Sequence, residues 1–421
     1  MIAVMVVLVA VMVWSALSRL LDRRGITAAL FLAAVGLGVG LLTPLSDIEV
    51  DIEIAERVAE IALVLLLFSD ATRLDLRALR HQLSWPTRLL LIGLPLTMLA
   101  GFGVGLLVFP GMALASVALL AVMLAPTDAA LGQKVVTDDS VPPRVRQSLD
   151  VESGLNDGLS VPVFLVVLSI ANAELESGVA GAIAGSMAAQ IGWGLLAGVI
   201  AGLFGGALIR FADDRDWIAP AWKQVLPLAA ALLAFAIADQ LGGSGFIAAF
   251  VGGIVFGHVA GPVRSVVTLL TEEAGELAAA VTWLAFGALA LVLALPLITW
   301  QVVLYAVLSL TVVRMTPVGI ALAGGGIRLP TIAFIGWFGP RGLASLVFVL
   351  IAASRGVPEQ ELVLTTVVVT VALSIVLHGL SSVPLVARYH RWSATMMAED
   401  PSAAESVAAD MPRARRQLPP R

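Results

Sequence analysis

Asp157 and Ser153 stand four residues apart, and Glu152 and Asn156 repeat that spacing one position earlier, within VESGLNDG at residues 151–158. On a helix, residues four apart lie on one face. One strip then offers a hydroxyl and a carboxylate, oxygen donors of the kind a hard monovalent cation takes. The neighbouring strip offers a carboxylate and an amide suited to holding an arginine. The run that follows, LSVPVFLVVLSIANA, is apolar enough to cross a bilayer. At such depth an ionisable side chain is tolerated only if it is paired, hydrated or used.

Seven polar side chains of this sort remain once loop charges are set aside: Asp70, Asp128, Glu152, Asn156, Asp157, Arg314 and Arg341. Arg314 and Asp70 lie nearer the ends of their segments and read equally well as charges reaching the membrane surface. Asp128 and Arg341 coincide with interruptions. In AVMLAPTDAALGQK, Pro126 removes a backbone donor and disfavours helix at the residue before it, so a break is expected near Pro126, Thr127 and Asp128. Freed carbonyls there can ligate a cation, while Asp128 can offset the positive start of a half-helix. IGWFGPRGLASLVF repeats the device with the opposite charge, Arg341 being flanked by Gly339, Pro340 and Gly342.

The elements that carry these groups belong to a membrane. Hydrophobic residues make up 59% of the 421 and charged residues only 13%, about half the usual charged fraction of a soluble domain. Thirteen apolar segments are expected, at about 1–20, 26–44, 54–70, 86–109, 113–131, 149–171, 179–209, 224–240, 244–262, 276–298, 300–322, 331–353 and 360–386. The first has no basic residue ahead of its apolar run and no small-residue cleavage site, so it is expected to be a span and not a signal peptide. The fold class is therefore an all-α polytopic membrane protein. The two interrupted segments, fifth and twelfth, differ by seven. That spacing predicts two inverted six-helix repeats, about 1–175 and 224–387, joined by a linking helix at about 179–209, with crossed broken helices.

Loops after odd-numbered segments carry the basic residues, among them Arg19, Arg23, Arg24, Arg73, Arg77, Arg80, Arg88, Lys134, Arg144, Arg146, Arg210, Arg215, Lys223, Arg264 and Arg328. This asymmetry predicts an N-terminus outside the cell membrane and a C-terminus in the cytoplasm. Residues 388–421 are rich in Pro, Ser and charge and are expected to form a disordered cytoplasmic tail. The absence of cysteine excludes disulfides, thiolate metal sites and cysteine nucleophiles.

PTDAA, ESGLNDG, FSDATRLDLRAL and GPRGLAS, in their order along the chain, give it a resemblance to the cation:proton antiporter superfamily. Its Asn-Asp branch, with NhaP-type Na+/H+ antiporters and sodium/hydrogen exchangers, is the most similar. The resemblance covers about residues 1–390 and implies the antiporter fold, a homodimer in the lipid bilayer, no cofactor and no nucleic-acid partner. Matched residue by residue, Asp157 resembles the aspartate that binds ion and proton, Asn156 its neutral partner, and Ser153 a cation-ligating hydroxyl. Thr127, through its backbone oxygen, and Asp128 resemble the unwound part of the fifth segment. Glu152 and Arg341 resemble a buried structural ion pair. Asp70 stands where the family more often has Glu in a Phe-Glu pattern, and Gly154 where it has Leu.

The expected function is exchange of a monovalent cation, Na+ first with Li+ or K+ as alternatives, for H+ by competition at Asp157. An unaccompanied charge is costly in a buried site, so the carboxylate holds a proton or a cation by turns. With Glu152 held by Arg341, one proton per cation and electroneutral transport are expected. A cation-coupled solute symporter is the alternative, and a passive channel would differ by passing current. An enzyme is not expected. Ser244 and His258, in GGSG and GHVAG, mimic a serine-histidine protease pair but lie fourteen residues apart on one helix, about 21 Å.

Overall fold

A computed structural model describes residues 2–42, 52–74, 84–128, 131–176, 180–261, 267–400 and 402–406, and every regular element among them is helical. In chain order the segments are α1 (Ile2–Asp22), α2 (Ala28–Leu42), α3 (Ile52–Thr72), α4 (84–108), α5a (Leu114–Met123) with α5b (Gln133–Thr137), α6 (Pro143–Glu176), α7 (Ala180–Asp213), α8 (Pro220–Gln240), α9 (Gly245–Ala260), α10 (269–297), α11 (300–322), α12a (Leu329–Trp337) with α12b (Leu343–Arg355), and α13 (Gln360–Glu399). These are the thirteen expected segments, with the fifth and twelfth interrupted. Among the described residues eight helices are apolar and at least 18 residues long, four more are apolar but shorter, and α3 stands apart because it carries Glu56, Arg57, Glu60 and Asp70. Two of the short ones, α5a and α12b, are parts of the interrupted segments. The loop residues Arg77, Arg80 and Arg264, and the tail beyond residue 406, lie outside the described residues.

The helices gather into two bundles. In one, α7 packs along α9, α9 along α3, and α2 and α3 along α10. Glycine makes the α7–α9 approach close: a Cβ at Gly198 would lie 2.6 Å from the Ala248 carbonyl oxygen, and one at Gly202 would lie 2.5 Å from that of Gly252. Apolar side chains gain little by leaving lipid for another apolar surface, so backbone-to-backbone contact of this kind is what holds membrane helices together. The second bundle holds α4, α5, α6, α11, α12 and α13. There Phe164 of α6 stacks on Phe348 of α12b, with centroids 4.2 Å apart, and the Tyr305 hydroxyl of α11 donates to the Gly101 carbonyl of α4 at 3.1 Å. Both interrupted segments and α6 fall in this bundle, while α3 and α12b meet across the boundary.

The tail departs from expectation. Helix α13 runs on to Glu399, twelve residues past the expected end of the membrane domain at 387, and residues to 406 pack on the bundle. Tyr389, Ser393 and Met396 form a buried stripe at helical spacing. Tyr389 stacks on Phe334, Arg144 donates to the Ala404 carbonyl at 2.8 Å, and buried Glu405 accepts from the Arg328 amide at 2.9 Å and the Thr331 hydroxyl at 3.0 Å. The composition of residues 388–399 resembles a solvated tail, but its buried residues keep the i, i+4, i+7 period of a packed helix. Disorder is therefore corrected to order over residues 388–400 and 402–406.

Candidate cation and proton site

Helix α5a ends at Met123 and the chain is irregular through Asp128, because Pro126 cannot continue the hydrogen-bond ladder. The opposing interruption, 338–342, crosses it. Donors from the twelfth segment answer the carbonyls at the end of α5a: Arg341 Nη1 reaches Ala125 O at 2.8 Å and Pro126 O at 3.2 Å, and Ser345 Oγ reaches Met123 O at 2.7 Å. In return the Asp128 amide donates to the Pro340 carbonyl at 2.8 Å, and the Asp128 carboxylate accepts from the Leu343 amide at 2.8 Å. Asp128 thus sits at the positive start of α12b and Arg341 at the negative end of α5a, each offsetting a half-helix dipole. This explains why the two breaks carry opposite charges. Gly342 makes the contact feasible, since a Cβ there would collide with the Asp128 carboxylate.

The expected Glu152–Arg341 pair is not formed. Glu152 is bridged by both terminal nitrogens of Arg314 on α11, at 2.5 and 2.8 Å, and both side chains are buried. Arg341 is claimed instead by the carbonyls of the fifth segment. Arg314, read from sequence equally well as a charge reaching the membrane surface, is an interior partner, and Gly339 leaves room for it: a Cβ there would fall on the guanidinium. Asn156 also leaves the arginine-holding role proposed for its strip. Its amide nitrogen donates to the Thr127 hydroxyl at 2.6 Å, and that hydroxyl lies 3.1 Å from Ser153 Oγ.

Thr127, Ser153, Asn156 and Asp157 therefore converge where α6 passes the α5 break. Asp157 lies midway along the apolar stretch Pro143–Asn172. One of its carboxylate oxygens, Oδ1, and Asn156 Oδ1 are both buried without a hydrogen-bond partner. Asp157 follows Asn156 and stands one turn from Ser153 on α6, the two residues that meet Thr127 at the α5 break. Asp70 lies 3.9 Å from Arg73 and packs on α6 at Gly154, where a Cβ would come within 3.4 Å of its own Cβ. The side chains named from sequence come together, with Arg314 added and Arg341 reassigned. Also missed were Ser374 and His378 of α13, which touch the twelfth-segment break. Their signal is a polar i, i+4 strip, Thr366, Thr370, Ser374, His378 and Ser382, in an otherwise apolar helix. Ser244 instead caps α9, accepting from the Ile247 amide at 3.4 Å, and makes no dyad with His258 near the other end of the same helix.

Two interrupted helices crossing beside a buried carboxylate define a multi-pass membrane protein with the architecture of a secondary transporter. Residues 6–388 match the family model for the transmembrane sodium/hydrogen exchanger, and the chain belongs to that family. It is 23% identical over 342 residues to the K(+)/H(+) antiporter NhaP of Alkalimonas amylolytica, a match covering 79% of this chain and 57% of that protein. It is 26% identical over 390 residues to the K(+)/H(+) antiporter NhaP2 of Shewanella sp. (strain ANA-3), covering 87% of this chain and 63% of that protein. The Na(+)/H(+) antiporter ApNhaP of Aphanothece halophytica is 27% identical over 235 residues, 56% of this chain and 43% of that one. The chain thus spans between 43% and 63% of the length of these curated relatives. In fold it is similar to the sodium proton antiporter MjNhaP1 of Methanocaldococcus jannaschii, with a TM-score of 0.72, 18% identity, and coverage of 90% of this chain and 99% of that one.

Proposed function

We propose that this protein is a secondary antiporter that exchanges a monovalent cation for H+ through Asp157. The carrying observation is the pair of buried, unpartnered acceptor oxygens on Asn156 and Asp157, set beside two hydroxyls. A buried acceptor without a donor is destabilising by about 1–3 kcal/mol, more if charged. A cation satisfies both oxygens at once; a proton satisfies the carboxylate alone. Either occupant excludes the other at Asp157, and that competition couples the fluxes. The polar groups that meet here are those an ion uses, so a solute symporter gains no support.

Stoichiometry follows from which other charges are committed. Glu152 is neutralised by Arg314, Asp128 is held by the amide at the start of α12b, and Asp70 shares Arg73 with Glu272. Asp157 is left to change its occupant, so one cation moves per proton. Alternating access comes from the bundle of α4–α6 and α11–α13 moving against the other, which also forms the homodimer. Na+ is the first expectation, with K+ and Li+ as alternatives, and the relatives include both a Na(+)/H(+) and a K(+)/H(+) antiporter. The location is the cell membrane, with the N-terminus outside and the extended α13 in the cytoplasm, as the basic loops at Arg23, Lys134, Arg144, Arg210 and Arg328 favour.

Proteoliposomes carrying a pH-sensitive dye test this. Exchange should start on addition of an alkali cation, and its initial rate should be the same with the membrane potential clamped at zero or at a large value. A rate that grows with potential would contradict one-for-one exchange.

A further inference from the structure

His378 of α13 is 1% exposed and has no part in the exchange described above. Its Nε2 lies 2.9 Å from the carbonyl oxygen of Trp337, the last residue of α12a. Its Nδ1 lies 2.9 Å from Ser374 O and 3.3 Å from Ser374 Oγ. A carbonyl only accepts, so a ring with one proton donates either from Nε2 to Trp337 O or from Nδ1 to Ser374 O; the brace uses the first, in which Nδ1 takes the Ser374 hydroxyl proton. Ser374 Oγ in turn accepts from the Arg341 amide at 2.7 Å, on the far side of the interruption. A third contact, from Trp337 Nε1 to Ser381 Oγ at 2.9 Å, holds the same residue to α13. Residues 374, 378 and 381 follow the i, i+4, i+7 spacing of one helix face.

One face of α13 therefore grips both banks of the break in α12. The break itself grips α5: Arg341 holds Ala125 O and Pro126 O, and Pro340 O holds the Asp128 amide. Between Pro126 and Asp128 lies Thr127, whose hydroxyl joins Ser153 and Asn156. We propose that His378 and Ser374 form a brace that positions the fifth-segment break, and so sets the affinity for the transported cation without touching it. The effect belongs to a positioning residue: the ligands remain, but their geometry loosens. Loss of outer contacts that orient ligands typically lowers cation affinity by roughly 10–100-fold. This rests on Asp157 and its neighbours being the exchange site.

The test compares wild type with His378→Leu, His378→Gln and Ser374→Ala, all as full-length protein. Half-saturating Na+ or K+ is read from exchange in proteoliposomes and, separately, from cation-induced thermal stabilisation in detergent. His378→Leu and Ser374→Ala should raise half-saturation by roughly 10-fold while changing the maximal rate much less. His378→Gln, which keeps an N–H for the Trp337 carbonyl, should recover most of the affinity. Should His378→Leu fail to fold, Ser374→Ala carries the test alone, since it removes one hydroxyl and little volume. Unchanged half-saturation in Ser374→Ala, or a Gln variant no better than Leu, overturns the brace. A wild type with no cation dependence in either measurement would instead remove the exchange reading, and the brace with it.

Discussion

Asp157→Asn is expected to abolish cation-dependent proton movement in proteoliposomes, leaving only the leak of empty vesicles. The substitution keeps the size and most of the polarity of the side chain, so α6 should still pack against the α5 break. What it removes is the ability to exist in two charge states. An amide cannot be neutralised by a proton and cannot neutralise a cation, so neither half of the cycle has its counter-charge. The variant should retain the wild-type elution profile and thermal stability without cation, and should lose the stabilisation that cation adds. Exchange at the wild-type rate would remove Asp157 from its role.

Breaking the interior ion pair should have the largest effect on folding. Glu152→Gln leaves the Arg314 charge buried opposite a neutral side chain, and Arg314→Met does the same to Glu152. Removing one partner of a buried pair typically destabilises by about 3–5 kcal/mol, whereas removing both together is often far milder. The double variant Glu152→Gln with Arg314→Met should therefore be recovered in better yield than either single variant. A double-mutant cycle separates this pairing from the one expected from sequence, because only residues in direct contact show strong coupling. Coupling between Glu152 and Arg314 should be large and that between Glu152 and Arg341 small. The reverse order would restore Arg341 as the partner.

Much of the site was legible because lipid enforces strict rules. A backbone in hydrocarbon must satisfy its own hydrogen bonds, so thirteen helical segments stand out by hydropathy, and Pro126 and Pro340 mark where two of them fail. Charges that survive at such depth are few enough to name individually. Spacing along α6 set Ser153 and Asp157 one turn apart, and the structure has both on that one helix. It did not settle partners across helices. Periodicity says which face Glu152 occupies, but not which of two interior arginines reaches it. That choice followed from the dipole of α5a, whose exposed carbonyls draw Arg341 and leave Glu152 to Arg314. The extension of α13 was obscured because average composition over residues 388–421 outweighed the stripe of Tyr389, Ser393 and Met396. The polar strip of α13 marks His378, but its contact with the Trp337 carbonyl is made by a break in another helix, a relation no local pattern carries.

Competition between cation and proton at a single carboxylate is the central claim, and the half-saturating cation concentration as a function of pH tests it most directly. With one proton displaced for each cation bound, half-saturation should rise about tenfold for each unit of acidification once the site is mostly protonated, and saturating cation should restore the same maximal rate. Half-saturation that stays constant while the maximal rate alone falls with pH would contradict it, since proton and cation would then be bound at separate places.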